Sequence, residues 1–97
     1  MTGIHISARK PWGGQPLIRA PVTVELDGST VATVRWKSTV FVDASPGRHV
    51  VTLYYSYLGS AQAGLATMTV DLAANQEMSL QYRSPMYALG RGRITVS

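Results

Sequence analysis

Cysteine is absent from all 97 residues. Neither a disulfide framework nor a thiolate metal site can be built without it. Small secreted domains lean on such staples, so their absence points to a cytoplasmic setting. Histidine is nearly as scarce. His5 and His49 lie on different segments, the close spacing of a metal cluster is missing, and no cofactor is expected. Charge is thin as well, at 14% of residues. No window approaches the roughly 20 apolar residues that a membrane helix needs. Met1–Arg9 has no long apolar stretch and no small-residue cleavage pattern, so no signal peptide is expected. The alternative localisation is the soluble part of a membrane-anchored protein. Capped 3.6-residue periodicity and internal repeats are both missing, and Gly13-Gly14 has no following helix that would make it a phosphate-binding loop.

What the chain does have is alternation. Ile4 and Ile6 alternate with His5 and Ser7, and a long loop follows from Arg9 to Ala20. Val22, Val24 and Leu26 alternate with Thr23 and Glu25, and Asp27-Gly28 then supplies a tight hairpin turn. Ala32, Val34 and Trp36 share one face of the next strand, which ends at a Lys37-Ser38 corner. Val40 and Val42 follow, and Ser45-Pro46-Gly47 turns the chain, with proline presetting φ. Arg48 to Leu58 is the longest β run, with Val51, Leu53, Tyr55 and Tyr57 on one face and Val50, Thr52, Tyr54 and Ser56 on the other. After a small-residue loop at Gly59–Gly64, Ala66, Met68, Val70 and Leu72 form a strand. A turn at Ala73–Gln76 leads to Met78, Leu80 and Tyr82, and a loop at Ser84–Gly90 leads to Ile94 and Val96. Seven to eight short strands in one domain, residues 1–97, predict an all-β fold: an antiparallel, immunoglobulin-like sandwich, with a partly closed barrel as the alternative.

The stretch Val22-Thr-Val-Glu-Leu-Asp27-Gly28, followed by Ala44-Ser-Pro-Gly47-Arg-His49-Val-Val, resembles the PEGA-type small sandwich domains of bacterial proteins. Those carry a V-x-V-D-G strand and turn before a P-G-x-H-x-V turn and strand. The segment Leu80-Gln-Tyr82-Arg-Ser-Pro85, with Gly90 and Gly92, is similar to the ending of related bacterial sandwich domains. The likeness covers about half of the chain and rests on turn chemistry; Tyr57-Leu-Gly59 only loosely matches the Gly-Tyr ending of the pattern. It implies an accessory or recognition module and carries over no catalytic residues.

In an antiparallel sandwich the turns alternate between the two ends of the body. Counting from Ile4, Arg9–Ala20, Trp36–Ser38, Gly59–Gly64 and Ser84–Gly90 share one end, while Asp27–Ser29, Asp43–Gly47 and Ala73–Gln76 share the other. The formal charge of +4 sorts with this parity. Arg9, Lys10, Arg19, Arg35, Lys37, Arg83 and Arg91 fall at the first end; Glu25, Asp27, Asp43, Asp71 and Glu77 fall at the second, with Arg48 as the exception. The basic end also holds Trp12, Trp36, Met86 and Tyr87, and its loops are the long ones. Arginine, tryptophan and tyrosine are the residues enriched at binding hot spots. Arg9, Lys10, Trp12, Arg19, Lys37, Arg83, Met86, Tyr87 and Arg91 are therefore the expected partner-binding residues. Trp36 is expected in the core.

No enzyme is expected. Ser45, His49 and Asp43 contain the elements of a Ser–His–Asp trio, but they surround a single turn and no oxyanion donor accompanies them. His5 and His49 read as half-exposed strand residues. Gly90-Arg91-Gly92-Arg93 resembles a short RGG element but runs straight into Ile94-Thr-Val96, so it reads as the start of a strand and nucleic acid is not the expected partner. The leading expectation is a non-catalytic module binding a protein partner at the Arg/Trp end. One alternative is head-to-tail self-association between opposite poles. Another is an anionic ligand, namely a glycan, lipid headgroup, nucleic acid or membrane surface.

Overall fold

The computed structural model describes residues 2–9, 21–57, 60–83 and 92–96. These form eight strands: β1 (Gly3–Arg9), β2 (Val22–Leu26), β3 (Ser29–Val34), β4 (Thr39–Asp43), β5 (Gly47–Tyr57), β6 (Ser60–Leu72), β7 (Glu77–Arg83) and β8 (Arg93–Val96). They make two four-stranded sheets, β4-β1-β7-β8 and β3-β2-β5-β6, packed as a sandwich. The sheets do not close on one another, which removes the barrel alternative. The arrangement is mostly antiparallel, with one departure from the sequence reading: β1 pairs in parallel with β7 while pairing antiparallel with β4. Odd-numbered strands run one way and even-numbered strands the other in every pairing, so the alternation of turns between two ends holds.

Period-2 alternation explains the core. Ile4, Ile6 and Ala8 of β1 and Leu80 and Tyr82 of β7 point inward from one sheet. Val22, Val24, Val51, Leu53 and Tyr55 meet them from the other. Each fully buried large aliphatic side chain contributes about 1.5–3 kcal/mol.

The turns follow their backbone chemistry. Asp27 and Gly28 both have positive φ, 53° and 87°, as a two-residue hairpin loop with the sheet's own twist requires. Lys37 (φ 66°) and Asn75 (φ 63°) take the same left-handed conformation in the corner and in the β6–β7 turn.

Two boundaries differ from the sequence reading. β3 ends at Val34, so Trp36 sits in the corner before β4. From there its ring reaches Tyr55 of one sheet edge-on, centroids 5.3 Å apart, and Tyr82 of the other at 6.2 Å. It packs partly buried against the core, as expected. β6 starts at Ser60, inside the stretch read as a loop. The cause is a bulge. β6 carries an extra residue near Gly64, where the register steps from Leu53↔Ala66 to Tyr55↔Ala63. Gly64 takes φ +63°, and Ala63 and Ala66 both turn inward although they are three residues apart. This break in alternation makes the segment read as a loop.

Candidate functional site

The register of the first sheet brings three arginines into one row. Arg9 of β1 stands opposite Arg83 of β7, and Arg83 stands opposite Arg93 of β8. Their neighbours Ala8, Tyr82 and Ile94 face the core side, which puts all three arginines on the outer face, where they are exposed. Adjacent strands lie about 4.8 Å apart, so the row spans about 10 Å. The corner extends it on one side: Lys37 N–H donates to the Ala8 carbonyl (2.8 Å) and Ala8 N–H to the Ser38 carbonyl (3.2 Å), so exposed Lys37 abuts the end of β1. Exposed Arg35 lies in the same corner. Below the arginines come neutral rows, including Ser7 and Gln81 of β1 and β7 and Thr95 of β8. Ser7 also hydrogen-bonds to Thr39 of β4 (2.8 Å).

Of the expected partner-binding residues, Arg9, Lys37 and Arg83 are thus brought together. Lys10, Trp12, Arg19, Met86, Tyr87 and Arg91 lie outside the described residues. Arg93 is the addition that sequence reasoning missed. Its signal was present: Ile94 and Val96 alternate with Arg93 and Thr95, so an inward Ile94 sends Arg93 outward.

Like charges directly opposite one another on a sheet are destabilising. Among the described residues no carboxylate forms an ion pair with Arg9, Arg35, Lys37, Arg83 or Arg93. The chain has only five acidic residues, Glu25, Asp27, Asp43, Asp71 and Glu77, and the undescribed segments contain none. Glu77 and Arg83 occupy opposite ends of β7, about 20 Å apart on an extended strand. Asp43 is level with Gly3 at the same far end of the sheet. Arg83→Gln is therefore expected to raise the thermal midpoint by a few degrees at low ionic strength, with the gain disappearing in concentrated salt as the repulsion is screened. Calorimetry at both salt levels checks this; a lowered midpoint at low salt would mean that the row is not under repulsion.

The acidic end is built differently, because most of its carboxylates have partners. Glu77 accepts a hydrogen bond from His5 (2.7 Å), which holds its carboxyl below the usual range. Asp71 pairs with Arg48 (3.3 Å), so the one basic exception is neutralised locally. Glu25 accepts the Tyr54 hydroxyl. Asp27 is held most firmly. Its Oδ1 accepts the Val50 N–H (2.8 Å) and its Oδ2 accepts His49 Nδ1 (2.6 Å), and these two bonds, the backbone one first, push its carboxyl below the ordinary value of 3.8.

His49 is buried, at 8% exposure, where the sequence suggested a half-exposed position. Its Nε2 lies 2.7 Å from the Ser45 carbonyl, an acceptor only, so that nitrogen must donate. Nδ1 faces the Asp27 carboxylate, so both ring nitrogens face acceptors, which favours the doubly protonated ring. Its pKa is raised above 6.5, first by the Asp27 carboxylate and then by the Ser45 carbonyl. The Ser–His–Asp trio is therefore not assembled. His49 binds the backbone of Ser45, its carboxylate is Asp27 in place of Asp43, and both ring nitrogens are taken up by these partners, with neither on a hydroxyl. The result is a clasp between the Asp27-Gly28 and Ser45–Gly47 turns. Among the described residues no group of His, Asp or Glu could hold a metal ion. No described helix could cross a membrane.

No family model matches the chain, and no match to it is found among curated proteins or solved structures.

Proposed function

We propose that this domain is a non-catalytic interaction module that docks an acidic segment of a protein partner on its basic end. The observation that carries the reading is the row Arg9–Arg83–Arg93, extended by Lys37, in a chain whose few carboxylates all lie elsewhere. Guanidinium groups fit carboxylates as planar, two-pronged pairs, and a row of them on a rigid sheet is preorganised for several at once. The repulsion within the row is relieved when an outside anion arrives, so binding and stability are linked. The same accounting weighs against head-to-tail assembly, because four of the five carboxylates already have partners within the chain.

The test is titration of a labelled hexaglutamate peptide followed by fluorescence anisotropy, against the wild type and the triple variant Arg9→Gln, Arg83→Gln, Arg93→Gln. Affinity is expected to fall steeply between about 50 and about 500 mM salt. The triple variant is expected to lose at least about tenfold at low salt, roughly what removing 1.4 kcal/mol of binding would do. Equal binding by the triple variant would sink the reading. Single-stranded DNA, heparin and anionic vesicles form the comparison arms. Tighter, Arg-dependent binding to one of these would move the assignment to that anionic ligand.

A further inference from the structure

We propose that Asp27–Gly28 is a modification site, the place where this chain forms a succinimide and then isoaspartate, and that the clasp to Val50 and His49 governs the rate. The inference is independent of the docking surface described above. It gives the acidic end a chemistry of its own.

An aspartate followed by glycine is the pair most prone to this reaction, because no Cβ shields the attacking nitrogen. Asp27-Gly28 is the only Asp-Gly pair in the chain, and Asn-Gly does not occur. Asp43 and Asp71 are followed by Ala44 and Leu72, whose side chains hinder the approach. Asp27 and Gly28 form the exposed loop between β2 and β3, and a Cβ at Gly28 would meet nothing within 4 Å. In the reaction the Gly28 nitrogen attacks Asp27 Cγ. A C–N bond forms, one carboxyl C–O bond breaks, and that oxygen leaves as water with the amide proton and one proton from solvent. Water then opens the ring at either carbonyl. Opening at the side-chain carbonyl restores aspartate; opening at the main-chain carbonyl leaves isoaspartate, with the backbone routed through Cγ. Water is the only co-reactant.

The fold leaves the nitrogen open and restrains the carboxyl. Asp27 Oδ1 accepts the Val50 N–H (2.8 Å), and Oδ2 lies 2.6 Å from His49 Nδ1. Asp27 N–H donates to the Val50 carbonyl (2.9 Å), so its main chain and side chain are both tied to β5. His49 is itself buried and bonded to the Ser45 carbonyl (2.7 Å), so it cannot follow a carboxylate that swings away. Ring closure brings Cγ to bonding distance of the Gly28 nitrogen and expels one oxygen, so a bond to Val50 or His49 must break first. The same bonds hold the carboxyl in its ionised form, which is a poor electrophile. Isoaspartate adds one backbone atom to a two-residue loop and sets its carboxylate on a shorter arm. Val50 and His49 then lose their acceptor, and conversion unlatches the acidic end permanently.

The test is ageing of the folded protein at neutral pH, followed by peptide mapping with fragmentation that separates isoaspartate from aspartate. Folded wild type is expected to convert first at position 27, and more slowly than chain held unfolded in guanidinium. The ratio of those two rates should match the open fraction read from hydrogen exchange of the Val50 amide. His49→Gln is expected to speed conversion at least about tenfold, the factor that about 1.4 kcal/mol of easier opening supplies. Gly92→Ala serves as the control: its Cβ would strike Tyr82 and the Gly64 carbonyl, away from the clasp, and the rate should stay near that of wild type. The rate ratio and the Val50 exchange are read on wild type, so they decide the matter even where His49→Gln does not fold. Conversion of folded wild type at the unfolded rate, with the Val50 amide still protected, would overturn the gating. Equal acceleration by Gly92→Ala would assign the reaction to global unfolding and overturn it as well. Isoaspartate appearing first at Asp43 or Asp71 would remove the site.

Discussion

Alanine in place of Gly64 is expected to lower the thermal midpoint by about 10 °C or more, the largest single-residue effect in the domain. Two costs combine at this position. Gly64 has φ +63°, a left-handed conformation that costs a residue with a Cβ about 1–2 kcal/mol. A Cβ there would also stand 2.5 Å from Tyr55 Cε1 and 2.5 Å from the Tyr82 hydroxyl oxygen, and such overpacking costs about 1–3 kcal/mol. Both rings are fully buried and have no room to retreat. The Tyr82 hydroxyl donates to the Gly64 carbonyl, so a bond between the buried faces of the two sheets would be disturbed as well. Burial also pushes the Tyr82 phenol pKa up, so that hydroxyl stays a donor across the working pH range.

Gly92→Ala separates the two costs. No positive φ is involved there, but a Cβ would meet the Gly64 carbonyl oxygen and Tyr82 Cε1, each at 2.5 Å. It should therefore show the steric cost alone. Adding Tyr82→Phe to Gly64→Ala removes the hydroxyl that the new Cβ strikes, so the double variant should lose less than the sum of the singles. Scanning calorimetry of the four proteins reads this directly. An unchanged midpoint for Gly64→Ala would mean that the bulge is far more yielding than its contacts imply.

The second large effect is a pH dependence set by the His49 clasp. The raised pKa of His49 stabilises the fold fully below its ordinary 6.5, and that contribution is lost as pH rises through the folded value. The lowered pKa of Asp27 acts in the opposite sense: its contribution is full above 3.8 and is lost as pH falls through the folded value. The clasp is therefore complete between those two ordinary values. Urea midpoints measured from about pH 5 to about pH 9 should fall along the alkaline side. His49→Gln should flatten that decline and lower stability by about 1–2 kcal/mol at the acidic start, where a charge-assisted bond is lost. The acid limb is shared with Glu77, whose carboxyl is held down by His5, so it should survive in part in the His49 variant. An alkaline decline identical in wild type and His49→Gln would place the titration elsewhere.

Much of the fold could be read from the chain because it depends on period-2 alternation and on turn chemistry. Val22-x-Val24-x-Leu26 ending in Asp27-Gly28 leaves few options besides a strand and a hairpin, and Pro46-Gly47 marks the next reversal in the same way. The separation of charge between two ends was also readable, because turn parity depends only on counting strands. β6 was misread at its start because the bulge at Gly64 interrupts alternation, and small residues in a strand look like a loop until tyrosines are found packed over them. His49 was misplaced for a related reason: its burial depends on Asp27, 22 positions earlier in the chain, which no local pattern connects to it.

The sequence by itself determined the all-β class, the hairpins, which residues face inward on most strands, and the excess of positive charge with too few carboxylates to balance it. These follow from local periodicity, backbone preferences and composition. Only the tertiary structure decided that β1 lies between β4 and β7 and that Arg9, Arg83 and Arg93 share one register. Strand order and register are set by pairing between segments far apart in the chain. A shift of one residue in β7 or β8 would turn an arginine to the opposite face and break the row.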